Sequence, residues 1–141
     1  MELRKAKTAD IKAIAALAIG VMGPQFSKVG EPFLNKNQYA QKLSEALANM
    51  EFCVVAEDGG KVVGFAHWYY QDNMAFVEDL VVGKSAKNKI YYKSLMVFVL
   101  QTCKNDKVKS ISYLLPHGSP SAELAGKYGM KPVSVELKRG L

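Results

Sequence analysis

Residues 52–82 constrain this chain most, because they read as three strands in a row with only tight turns between them. Phe52–Ala56 is a β-rich run, Asp58-Gly59-Gly60 is a tight turn, and Lys61–Tyr70 is a second strand. The two form a hairpin. Gln71-Asp72-Asn73 turns the chain again into a third strand, Met74–Val82. The middle of the chain is therefore an antiparallel meander, and the remaining elements have to cover its faces.

Helical patterns lie on either side of it. Leu3 and Lys5–Lys7 suit a short first strand, and Thr8-Ala9-Asp10 suits a helix start with Thr8 as N-cap. Ile11, Ile14, Ala15 and Ala18 follow at helical spacing until Gly20 or Gly23-Pro24. Residues 23–34 read as a loop. Asn35 and Gln38 resemble a capping box ahead of a second amphipathic helix carrying Tyr39, Leu43, Ala46, Leu47 and Met50. After the meander, Ile90–Cys103 is apolar almost all round, as suits a helix buried on a sheet. Ser110–Leu115 is a strand, Ser119-Pro120 opens a last helix that stops at Gly129, and Lys131–Leu137 is a final strand. The order β-α-α-β-β-β-α-β-α-β predicts a mixed, mostly antiparallel α/β sheet with helices on both faces and one parallel βαβ unit.

Composition narrows the function classes. The 141 residues suit one domain, 1–141, and 49% hydrophobic against 23% charged residues excludes a disordered tail. No apolar run approaches the ~20 residues of a membrane span, and no apolar segment follows Met1-Glu2-Leu3-Arg4-Lys5, so no signal peptide and no membrane partner are expected. Cys53 and Cys103 lie in apolar runs and read as buried reduced thiols of a cytoplasmic protein. With two histidines beside them, a zinc cage is not expected. The net charge of +6 is uneven, with seven lysines and only Asp106 between Lys84 and Lys109. Such a stretch meets phosphates or simply solvates a face. Its centre is an apolar helix, which makes nucleic acid an unlikely partner.

Chemistry concentrates in Ala75-Phe76-Val77-Glu78-Asp79-Leu80-Val81-Val82. Strict alternation puts Phe76, Glu78, Leu80 and Val82 on one face and Val77, Asp79 and Val81 on the other. Two acids inside so apolar a strand place at least one where the sheet meets a cleft. Desolvation there raises a carboxylate's pKa and suits it to act as general base toward an amine. A structural acid paired with a lysine or with backbone N–H groups is the alternative. The loop Gly83–Ile90 then leads into a helix N-terminus, whose free N–H groups and dipole bind phosphate, with Lys84, Lys87 and Lys89 adding charge.

The element order, the strand Val77–Val82, the following loop, the opening Leu3-Arg4-Lys5-Ala6-Lys7-Thr8-Ala9-Asp10 and the closing Tyr128-Gly129-Met130 resemble the GNAT superfamily of acetyl-CoA-dependent N-acetyltransferases, from Leu3 to Leu137. The resemblance implies acetyl-CoA as co-substrate and a small-molecule or protein amine as acceptor, acetylated by direct attack on the thioester. It implies that the backbone of Leu80, Val81 and Val82 pairs with the pantetheine arm like an added strand. Lys87 takes the place of the family's Arg or Gln, and the N–H groups of Lys87, Asn88, Lys89, Ile90, Tyr91 and Tyr92 cradle the pyrophosphate. Glu78 becomes the first candidate base, directly or through water, and Asp79 the second. Three positions depart from the family: Ile90 and Tyr92 stand where it has small residues, and Ala125 stands where it often has a tyrosine acid. Tyr128, three residues later, points about 60° away and reads as a packing residue. These departures keep a catalytically silent GNAT-fold interaction protein in view as the rival reading.

Elsewhere, His67 reads as a half-buried, hydrogen-bonded histidine and His117 as a surface residue of the Pro116–Ser119 loop. The loop 23–37 and the helix after it should shape the acceptor side. Lys131–Leu137 offers an edge for a possible homodimer.

Overall fold

The structure is a computed structural model that describes residues 1–115, 118–134, 137 and 139. Its elements are β1 (Glu2–Lys5), a 3-10 turn (Thr8–Asp10), α1 (Ile11–Lys28), α2 (Lys36–Ala48), β2 (Phe52–Asp58), β3 (Lys61–Gln71), β4 (Met74–Val82), α3 (Asn88–Asn105), β5 (Ile111–Tyr113) and α4 (Pro120–Gly126). The five strands form one sheet in the order β1-β2-β3-β4-β5. All neighbours are antiparallel except β4 and β5, the parallel pair joined through α3. The mixed sheet anticipated from the sequence is present.

The turns explain the meander. Gly59 and Gly60 have φ of 58° and 77°, and Asp72 and Asn73 have φ of 52° and 60°. Each pair closes a two-residue hairpin, between Asp58 and Lys61 and between Gln71 and Met74. Positive φ at both positions matches the twist of the strands, and Gly, Asp and Asn reach it at least cost.

Two apolar layers sandwich the sheet. On one face Ile14, Ala18 and Met22 of α1 and Tyr39 and Leu43 of α2 pack with Val55, Phe65 and Val81. On the other, Tyr92, Leu95, Met96 and Val99 of α3 pack on Val54, Ala66, Trp68, Val77 and Leu80, with Leu124 and Tyr128 beside them. Cys53 and Cys103 are free and buried, one in each layer. Gly64 sits where α3 presses closest. A Cβ there would meet the Val81 carbonyl oxygen at 2.9 Å, with Val82 and Leu95 side-chain atoms at 3.0 and 3.1 Å. Gly64→Ala is expected to lower stability by about 1–3 kcal/mol in a denaturant titration, since a backbone oxygen cannot swing aside.

Several boundaries differ from the sequence reading. Helix α1 does not stop at Gly20 or Gly23 but carries Pro24 inside it to Lys28. Burial of Met22 and the packing of Val21 and Phe26 hold the last turns helical against proline's local preference. Thr8 caps nothing; Lys7 precedes the 3-10 turn, and its N–H donates to the Asp10 carboxylate at 2.7 Å. That carboxylate also receives Arg4, which reaches Glu57 as well. The capping box of α2 is present, with the Asn35 and Gln38 backbone N–H groups each bonded to the other's side chain at 2.9 Å. Met50 lies past the end of that helix and is exposed. Helix α3 is buried on one face only, since Ile90, Val97 and Phe98 are exposed. The expected strand Ser110–Leu115 shrinks to three residues. In place of a final strand, residues 131–134 have no regular structure, while Val135 and Glu136 lie outside the described residues, as do Pro116 and His117. One helical stretch, Thr8–Lys28, is long and apolar enough by length and composition to cross a membrane, although no continuous apolar run was evident there. It lays Ile14, Ala15, Ala18 and Met22 against the sheet.

Candidate active site

The site begins with a register break in β4. His67 of β3 pairs with Asp79 and Trp68 pairs with Val77, so Glu78 is an extra residue with no partner. Such a bulge interrupts the alternation of faces. Val77 and Leu80 both turn toward α3. Glu78 and Asp79 both turn toward α2, where the Lys42 Nζ lies 3.1 Å from Glu78 and the Tyr39 hydroxyl donates to Asp79. This corrects the strict alternation, which separated the two acids.

The environments of the two carboxylates differ. Glu78 is partly exposed and ion-paired to an exposed lysine. Asp79 is 5% exposed. Burial pushes its carboxyl up to about 6, while the Tyr39 hydrogen bond and the charge of Lys42 pull the other way. Tyr39 in turn is held protonated, by burial first and then by the Asp79 charge.

Beyond the bulge, β4 and β5 part. Their pairing ends at Val77 and Tyr113, whereas β4 stays paired with β3 as far as Val82 and Gly64. Among the described residues, the β5-facing edge from Glu78 to Val82 therefore has no strand neighbour. The Tyr113 side chain reaches forward into the gap. Its hydroxyl accepts from the Leu80 N–H at 2.8 Å and lies 3.3 Å from the Leu80 carbonyl, to which it donates. Burial holds this phenol protonated.

The loop Gly83–Lys87 leads from that edge to the α3 N-terminus. Ser85 serves two amides: its hydroxyl accepts from Lys87 N–H at 3.0 Å and its carbonyl from Asn88 N–H at 3.3 Å. Lys84, Lys87 and Lys89 are exposed. Ile90 is 59% exposed, so its side chain leaves the loop for solvent. Tyr91 turns its hydroxyl onto Asp58, which Lys87 also approaches at 3.7 Å. Tyr92 turns inward, with its ring centroid 5.9 Å from that of Tyr128. Its hydroxyl is buried without a hydrogen-bond partner. Neither bulky residue at a small-residue position fills the loop itself. Ala125 is buried, and Tyr128 is a packing residue, as its spacing implied.

On the α2 side the acids floor a cleft of about 760 Å³. Phe26, Phe33 and Tyr39 form one wall and Tyr69 and Phe76 another, the latter pair stacked at 5.4 Å. The loop after α1 lines this cleft through Pro32, Phe33 and Leu34. A smaller cavity of about 240 Å³ adjoins it across Lys42, Tyr69 and Glu78. His67 lines it, fully buried, with its Nε2 3.1 Å from Glu51. Burial pushes the His67 pKa down against the pull of Glu51, which favours the neutral ring.

Sequence reading missed Tyr39, Lys42 and Tyr113 as members of this site. Tyr39 registered only as an apolar helix position. A phenol at a buried helical position needs a partner for its hydroxyl, and an acid in an apolar strand needs a donor. That pairing was the available signal.

A five-stranded mixed sheet with a bulged, splayed β4 carrying acids, followed by an amide-rich loop and a helix, defines the acetyltransferase class of fold. The GNAT acetyltransferase family model matches residues 23–130. The chain belongs to the GNAT family. No curated protein matches it. Among solved structures, a mutant of the BH1408 protein from Bacillus halodurans is similar with a TM-score of 0.80 at 16% identity, covering 100% of this chain and 99% of that one. A ribosomal-protein-alanine N-acetyltransferase from Brucella melitensis gives 0.73 at 18% identity, over 92% and 83% of the two chains. The PaiA N-acetyltransferase from Thermoplasma acidophilum, solved in complex with coenzyme A, gives 0.69 at 14% identity, over 91% and 86%. At these identities the likeness is one of fold. The family match places the chain in the acetyltransferase class.

Proposed function

We propose that this protein transfers acetyl from acetyl-CoA to a primary amine by direct attack. The observation that carries the reading is the parting of β4 and β5 directly beside two carboxylates. The edge around Leu80, Val81 and Val82, which no described strand pairs on the β5 side and which the Tyr113 hydroxyl meets at Leu80, suits an extended arm that adds as a strand in place of that hydroxyl. The start of α3 suits a diphosphate through the Lys87 and Asn88 amides, which the Ser85 oxygens would yield to it, with Lys84, Lys87 and Lys89 supplying charge. The Ile90 and Tyr91 N–H groups of the expected cradle already donate to the Lys87 carbonyl at 3.0 and 3.1 Å. The solved coenzyme A complex of a protein of this fold supports the same choice of co-substrate. Two buried free thiols suit a reducing, cytoplasmic compartment.

Asp79 is the better base, reversing the order expected from sequence. It is excluded from water, carries a raised pKa, and has one oxygen held by Tyr39. Glu78, at the rim and paired with the exposed Lys42, holds an incoming ammonium by exchanging that lysine for it. The amine nitrogen bonds to the acetyl carbonyl carbon, and the carbon–sulfur bond breaks. Asp79 first takes one proton from the ammonium, so that nitrogen has its lone pair for the attack. The sulfur leaves with the electron pair and takes the second proton that nitrogen sheds. The Leu80 N–H, once released by Tyr113, is free to donate to a ligand oxygen.

One observation favours the silent fold instead, namely that the Tyr113 hydroxyl already satisfies both backbone groups of Leu80. Thiol release from acetyl-CoA, followed over a range of amine concentrations, separates the two readings. Release that saturates with amine supports transfer. Coenzyme binding with no release for any amine tested supports the silent fold.

A further inference from the structure

We propose that the acceptor is a primary amine carried on an aromatic or bulky apolar body, rather than a polyamine or a polar peptide. This inference rests on the acetyltransferase reading above and names its substrate class. The observation is the chemistry of the cleft in front of Glu78 and Asp79. Its volume, about 760 Å³, lies within the roughly 300–1,000 Å³ of small-molecule sites. Its walls are rings: Phe26 against Phe33 at 5.1 Å, Phe33 against Tyr39 at 6.1 Å, and Tyr69 against Phe76 at 5.4 Å. Among the described lining residues the charged ones are Lys42, Glu78 and Asp79 at one end.

Among the described lining residues the carboxylates stand together at one end of the cleft. They take the amino group, and nearby ring faces add attraction for the cation. Further out, a second ammonium would lie against the rings of Phe26 and Phe33, away from both of those carboxylates, and losing its hydration there is costly. An aromatic ring placed in the same space exchanges water for stacked and edge contacts. Along these walls a polar peptide would meet mostly rings and aliphatic side chains, with Gln38 and Ser112 the neutral amide and hydroxyl among the described lining residues, and would leave most of its amides without partners.

The test compares 2-phenylethylamine, spermidine and an alanine-terminated tetrapeptide as acceptors at fixed acetyl-CoA. The expected result is kcat/KM at least tenfold higher for 2-phenylethylamine than for either competitor. Phe33→Ala and Phe76→Leu should each raise its KM about tenfold while the calorimetric Kd for coenzyme A stays unchanged, with thermal melts confirming that both variants fold. Equal or faster turnover of spermidine or the peptide overturns the inference, as does coenzyme binding without turnover of 2-phenylethylamine. Failure of coenzyme A itself to bind is a separate result, which removes the transfer reading and this inference with it.

Discussion

Asp79→Asn should lose at least 100-fold in kcat yet become more stable at neutral pH. The loss follows from removing the proton acceptor, since a positioned general base contributes about 10²–10⁴-fold. The gain follows from the same burial. The carboxyl's pKa rises from its ordinary value of about 3.8 to about 6 on folding. Below about pH 4 both the folded and the unfolded chain hold the proton, and burial of a neutral acid adds no pH-dependent cost. Between pH 4 and 6 the unfolded chain releases its proton first, so stability falls as pH rises. Above pH 6 the folded protein bears the whole cost of the charge, on the order of 2–3 kcal/mol. Asparagine still accepts from Tyr39 but carries no charge. Melting curves of the two proteins should therefore nearly coincide at pH 4 and separate by pH 8, with the variant higher. In the wild type, kcat/KM should rise through an apparent pKa near 6, and the residual rate of the variant should lack that limb. A variant with full activity would move the base to Glu78 or to solvent.

The largest expected effect on stability is at Trp68, which is fully buried. Its ring stacks on Phe52 at 5.1 Å with an interplanar angle of 6°, and Phe98 meets it edge-on at 6.5 Å. It joins β2, β3 and α3 in one apolar layer. Trp68→Ala should cost about 3–5 kcal/mol, because the transfer term and the cavity term add. At this chain length that corresponds to a drop of roughly 10–15 °C in Tm. Among the described residues the indole N–H finds no well-formed hydrogen bond, only a weak approach to the Tyr70 hydroxyl. Trp68→Phe removes that unsatisfied donor while keeping a ring against Phe52, and should cost markedly less. Equal losses for the two variants would mean that stacking contributes little to this layer.

The parts of the fold that follow from local rules were legible in the sequence. Asp58-Gly59-Gly60 and Gln71-Asp72-Asn73 announce their hairpins because few residues tolerate positive φ, and Asn35 with Gln38 announces a helix start through its own hydrogen bonds. What stayed hidden depends on distant partners. Pro24 lies inside α1 because Met22 and Phe26 are packed from across the chain. The β4 bulge is a property of two strands in register, so no alternation pattern within β4 reveals that Glu78 and Asp79 share a face. The same holds for the site. Its acids stood out as charges in an apolar strand, whereas Tyr39, 40 residues before Asp79, and Tyr113, 33 after Leu80, enter through tertiary contacts alone.

The central claim is that the edge of β4 beyond Val77, with the amides leading into α3, forms a seat for coenzyme A. Titration of the intact protein with coenzyme A in a calorimeter addresses it directly. The account predicts one saturable site per chain, weakened by added salt because lysines meet the diphosphate, and tighter in Tyr113→Phe, where no hydroxyl competes for Leu80. An absence of binding heat and of thermal stabilisation up to millimolar coenzyme A, in both the wild type and that variant, would contradict it.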